Sequence, residues 1–126
     1  MAEAFDFLVG QAVEQVWFWG PVRLVLDLGT SAEPRMYVDL QRGSFTDPTG
    51  AVTEFDASRR PREAALVLGL LTRRVTAASS ADGTLTLRFD DRSELRAFPD
   101  HEHESWSVVG RGRVVQCMPG GAVNSW

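Results

Sequence analysis

Between Gly83 and Phe98 the chain alternates apolar and polar residues, breaks, and alternates again. Leu85, Leu87 and Phe89 fall on one side of an extended segment. Thr84, Thr86, Arg88 and Asp90 fall on the other, because successive side chains of a strand point to opposite faces. Asp90-Asp91-Arg92-Ser93 is a polar break, and the alternation resumes from Glu94 to Phe98, which predicts a β-hairpin. This is the strongest strand signal in the chain, and it sets the class: a mostly antiparallel sheet system.

The same rhythm runs through the first half. Phe5, Phe7, Leu8 and Val9 form an apolar opening segment. Gln11 to Trp19 is aromatic and β-branched enough to prefer strand. Gly20-Pro21 is a turn, after which Val22, Leu24 and Leu26 give the inner face of a second strand and Met36, Val38 and Leu40 that of a third. Arg42-Gly43-Ser44 breaks the third strand. Asp47-Pro48-Thr49-Gly50 has turn chemistry, and Ala51 to Phe55 reads as a short closing strand. Residues 56–71 differ: Asp56 or Ser58 can cap a helix, Pro61 suits its first turn, and Glu63-Ala64-Ala65-Leu66 are good helix formers. Leu66, Leu70 and Val67 would face the core.

Beyond that helix the first half recurs. Val13 and Val75 stand at an offset of 62, Gly20 and Gly83 at 63, Phe45 and Trp106 at 61, and Gly50 and Gly110 at 60. The expectation is a mainly β (β-rich α+β) fold in which two similar antiparallel β-meanders, 8–55 and 70–118, are joined by one short helix at about 58–70. They pack as a single small domain over residues 1–126, with six to eight strands. The last strand is Arg113 to Met118, and Pro119-Gly120-Gly121 begins a tail.

Composition narrows the function classes. All 13 basic residues are arginine, lysine and isoleucine are absent, and Asn and Tyr occur once each. The missing types are those written with A/T-rich codons, which points to a high-G+C bacterium and strips the all-arginine surface of meaning as a phosphate-binding signal. The net charge of −4 argues against nucleic acid as the main partner. No apolar run approaches the roughly 20 residues of a membrane helix, and the acidic N-terminus lacks the form of a signal peptide. A cytoplasmic, non-membrane protein is expected, and the single Cys117 fits a reducing compartment. The charge is unevenly spread: residues 90–104 hold six acids and two arginines, while the rest of the chain balances.

Catalytic patterns are missing: the sequence has no GxSxG elbow, P-loop, CxxC or HExxH. Gly110-Arg111-Gly112 lacks the third glycine of a dinucleotide fingerprint and reads as a tight turn. His101 and His103 are the one pair with ligand spacing. In an extended segment both imidazoles would share a face, but two ligands do not close a zinc site. No catalytic residue, metal site or cofactor is assigned. Cys117 reads as a small core hydrophobe. Among the tryptophans, Trp106 and either Trp17 or Phe18 are expected in the core, with Trp19 and Trp126 as surface anchors.

The stretch G-T-L-x-L-x-F-D-D, then S-E-L-R-A, then a proline-bearing acidic run and E-x-W at Trp106, resembles an uncharacterised family of small actinobacterial proteins. Leu66–Val75 and Pro119–Trp126 extend the likeness. The family's hairpin turn is usually Asp-Asp-Gly. Here Arg92 stands in place of that glycine, which disfavours a positive φ at this position. The resemblance brings no activity with it. Small acidic β-rich proteins of this general kind are similar to immunity proteins of bacterial toxin systems, an analogy at the level of fold.

Two classes of function follow as expectations. The first is a non-catalytic protein-binding module, immunity-like, whose binding residues are Asp91, Asp100, His101, Glu102, His103, Glu104 and Trp19 and whose partner is a basic, toxin-like protein. The alternatives are a small metal-dependent enzyme using His101 and His103, and a homodimer assembled through an edge strand or the Trp17/Trp19 face.

Overall fold

The computed structural model describes residues 2–30 and 32–126. It is mainly β, with two antiparallel sheets and one short helix in a single small domain. A 3-10 helix over Ala2–Leu8 opens the chain. Five strands follow: β1 (Gln15–Phe18), β2 (Val22–Asp27), β3 (Met36–Leu40), β4 (Arg42–Thr46) and β5 (Val52–Asp56). Helix α1 (Pro61–Ala64) continues as a 3-10 helix over Ala65–Leu70. Then come β6 (Val75–Ala81), β7 (Thr84–Phe89), β8 (Glu94–Ala97), β9 (Trp106–Gly110), β10 (Arg113–Cys117) and β11 (Val123–Ser125).

One sheet has the order β1-β2-β3-β9-β10-β11, the other β5-β4-β8-β7-β6. The first half of the chain therefore gives a three-stranded meander to the six-stranded sheet and a two-stranded hairpin to the other, and the second half gives a three-stranded meander to each. The joins have the same form: Leu40 to Tyr37 pair with Trp106 to Val109 in one sheet, and Ala97 to Glu94 pair with Gly43 to Thr46 in the other. This register sets Gly43, rather than Phe45, opposite the role of Trp106.

Alternation is what buries the core. β3 and β9 present every second residue inward, Met36, Val38 and Leu40 from one and Trp106, Val108 and Gly110 from the other. Their partners across the layer include Leu85, Leu87, Phe89 and Leu95, all within one cluster that also takes Phe5, Leu8 and Cys117. Each fully buried Leu, Val or Phe contributes about 1.5–3 kcal/mol of hydrophobic transfer.

Several expectations are corrected. Eleven strands occur among the described residues, against six to eight. Arg42-Gly43-Ser44, expected as a break, instead opens β4; a Cβ at Gly43 would lie 1.9 Å from the Arg96 carbonyl oxygen, so glycine is what lets β4 approach β8. β6 escapes the pattern because Thr-Ala-Ala-Ser-Ser-Ala carries little hydrophobic contrast, and the tail adds β11 beside β10. In the helical segment Ala64, Val67 and Leu70 are buried and Leu66 is exposed. The three-residue period is that of a 3-10 turn, which aligns i with i+3. Neither Asp56 nor Ser58 caps α1; its N-cap is Arg60, without a side-chain cap, while Asp56 binds the Ser58 and Arg59 N–H groups ahead of it. Arg92 does adopt a positive φ of 72°. The Asp91 carboxylate holds that turn by accepting from the Ser93 N–H and hydroxyl.

Candidate functional site

The halves differ most in how β3 reaches β4 and how β8 reaches β9. The first link is Gln41 alone, the second the eight residues 98–105, with Phe98-Pro99-Asp100-His101-Glu102-His103-Glu104-Ser105. The longer link is folded by its own polar groups. The Asp100 carboxylate accepts from the Glu102 N–H at 2.8 Å and the His103 N–H at 3.2 Å, and the Asp100 carbonyl accepts from the Gly120 N–H. Arg42 donates to the Pro99 carbonyl at 2.7 Å, with its guanidinium 5.5 Å from the Phe98 ring centre. Ser105 is tied on both sides, its N–H to the Cys117 carbonyl and its carbonyl to the Gln41 N–H.

The Glu102 N–H is the main cause that holds the Asp100 carboxyl below its ordinary pKa. Desolvation opposes it, and the His103 N–H and the charges of His103 and Arg42 assist. The bend at 101–103 also overturns the extended geometry in which His101 and His103 would share a face. Asp100 serves the backbone. Among the described residues no group of three or more His, Cys, Asp or Glu side chains is placed to hold a metal ion.

Two adjoining grooves border this loop. The larger, about 630 Å³, runs between 98–105 and the Arg42, Asp56 and Arg59 side. The smaller, about 230 Å³, is lined by Trp19, Pro21, Asp39, Leu40 and Gln116 among others. Gln41, Glu104 and Ser105 line both. Of the residues singled out from sequence, Asp100, His101, Glu102, His103 and Glu104 are thus brought to one groove, and Trp19 joins Glu104 at the next. Asp91 lines neither groove; it belongs to the β7–β8 turn, with Arg73 at 3.6 Å.

The sequence reading missed the outer face of the six-stranded sheet. Arg23 on β2 forms a bidentate pair with Asp39 on β3 at 2.7 and 2.9 Å. Its guanidinium lies 5.7, 5.2 and 4.0 Å from the ring centres of Trp17, Trp19 and Tyr37. The Asp39 hydrogen bond raises the Arg23 pKa against the pull of desolvation, while burial raises that of Tyr37. Neither Trp17 nor Phe18 enters the core: Trp17 is half-buried on this face and Phe18 is exposed. Period-two spacing of Trp17 with Trp19 and Tyr37 with Asp39 was the available signal, but only the strand register joins the two pairs. Trp106 is core, its indole N–H donating to the Gly83 carbonyl at 2.8 Å.

Fold and site together define a small two-sheet β protein with an acidic loop beside an aromatic face. The whole-chain comparison is more specific. A family model described as a family of unknown function (DUF6188) matches residues 4–126, and the chain belongs to that family. No curated protein and no solved structure matches it.

Proposed function

We propose that this chain is a non-catalytic, cytoplasmic protein-binding module of actinobacterial type, immunity-like, which presents the 98–105 loop to a basic partner. The observation that carries this reading is the unequal pair of links. One residue suffices between β3 and β4, so the fold does not need the eight residues between β8 and β9. Six of those eight, Asp100 to Ser105, are charged or polar residues on the groove wall, and the loop extends toward exposed Trp19. Acid-rich loops speed association with basic partners and add salt dependence. Tryptophan, exposed beside the loop at Trp19, is among the residue types enriched in binding hot spots.

The test begins with co-purification from a native high-G+C host and identification of a basic partner. Association rates are then measured across a salt series for the wild type and for Glu102→Arg. Asp100 is avoided because it holds the loop's turn. The rate is expected to fall steeply with salt and several-fold in the variant. Failure to recover a partner, or a partner indifferent to both changes, overturns the reading.

A further inference from the structure

We infer that the smaller groove, shared by Trp19, Glu104 and Ser105, seats one guanidinium side chain presented by a protein. This deepens the protein-binding reading and rests on it only for the source of the arginine. The charged residues lining the groove are Asp39 and Glu104, both acids. Arg23 neutralises Asp39 from the sheet face and does not line the groove. Glu104 is held in place by the Gln116 side-chain amide, which donates to Oε2 at 2.7 Å.

Ser105 supplies the independent sign. It is only 5% exposed. Among the described residues its Oγ is the buried side-chain polar atom without a hydrogen-bond partner. Native structures rarely leave such an atom unmatched, so it calls for a specific explanation. Both backbone groups of Ser105 are already engaged, so its hydroxyl is the one polar group of this residue without a partner.

Trp19, 58% exposed, puts an indole on the groove wall. Arg23 already shows that a guanidinium is compatible with this indole, at 5.2 Å from its centre. At about 230 Å³ the groove is smaller than the roughly 300–1,000 Å³ that free small molecules occupy, which suits a single side chain. A guanidinium fits these groups better than an ammonium, because it is planar, stacks on indole and donates in a fork to both a carboxylate and a hydroxyl.

The probe is N-acetyl-arginine-N-methylamide, titrated into the full chain while the tryptophan indole and Gln116 amide signals are followed by NMR. Saturable shifts of the Trp19 indole and the Gln116 amide are expected, with smaller shifts from the lysine analogue and none from the neutral citrulline analogue. Trp19→Ala should abolish the Gln116 response, and Glu104→Gln should weaken binding about tenfold. Ser105→Ala should weaken binding while raising the unfolding midpoint, because it removes an unmatched buried hydroxyl. No response, an equal response to citrulline, or a Gln116 response unchanged in Trp19→Ala overturns the inference. The titration contains no partner protein, so its failure leaves the protein-binding reading standing, and failure to capture a partner leaves the titration standing.

Discussion

On the six-stranded sheet one outer row of cross-strand partners runs Trp17, Arg23, Asp39, Ser107, Gln116. The row in the same place on the five-stranded sheet runs Ser79, Thr86, Arg96, Ser44, Glu54. The neighbouring rows diverge equally, Gln15, Val25, Tyr37, Val109, Val114 against Ala77, Arg88, Glu94, Thr46, Val52. The inner faces of both are aliphatic and aromatic, as a shared core demands. The difference teaches that packing sets one side of each sheet, while the other side is open to specialise. One face has become solvated and charged; the other has gathered three aromatic rings around an arginine.

The same contrast appears in the ion pairs. Arg23 and Asp39 have side chains 13% and 18% exposed, whereas Arg88 and Arg96, which share Glu94, are 66% and 53% exposed. Removing a partner from a shielded pair strands a charge out of water, while an exposed pair is already screened and solvated.

Experiments can break this comparison at each level. The largest effects belong inside. Leu24→Ala and Leu87→Ala, on β2 and β7, should each cost about 2–5 kcal/mol in urea unfolding; a loss at one site only would show that the halves do not share the core evenly. Gly43→Ala should cost about 3 kcal/mol or more, because its Cβ meets backbone rather than a flexible side chain. Outside, Arg23→Ala is expected to cost about 2–3 kcal/mol and Arg96→Ala about 0–1 kcal/mol. Equal values for the two arginines would dissolve the distinction between the faces. Arg92→Gly should stabilise by about 0.5–1 kcal/mol, since it relieves a left-handed backbone without removing a contact that holds the turn.

The smallest effect is titrimetric. The Thr49 hydroxyl chiefly lowers the Asp47 pKa; at Asp56 desolvation is the largest single influence and raises it, but the Ser58 and Arg59 hydrogen bonds with the Arg59 charge together outweigh it and leave the value lowered. Folded-state values below the ordinary 3.8 mean stability that is fully present above that pH and lost as pH falls through the depressed values. An unfolding midpoint followed into acid should drop, and Asp56→Asn should flatten the drop.

How far the sequence could be read follows from what each segment encodes locally. β2, β3, β7 and β8 announced themselves because one buried face and one wet face write a two-residue period. β6 has no such contrast, and β4 carries a glycine whose reason is a carbonyl on β8, far along the chain. The Asp100–Glu104 run was legible as part of the acid cluster over 90–104, since local charge needs no partner to be seen. Its bend was not, because the Asp100 hydrogen bonds make His101 and His103 turn residues. The arginine among aromatics was invisible for another reason: its members come from three strands and the β1–β2 turn, and the strand registers had to be known first.

The exchange of strands between sheets also bears on how the chain reaches its native state. Neither sheet is complete until β9 docks on β3 and β4 on β8, which requires residues as distant as Leu40 and Trp106 to meet. Such non-local closure places refolding among the slow β topologies, at about milliseconds to seconds. It also means that the two sheets must consolidate together. A nick between β5 and β6 would leave two pieces, each holding an unfinished edge that only the other can cover.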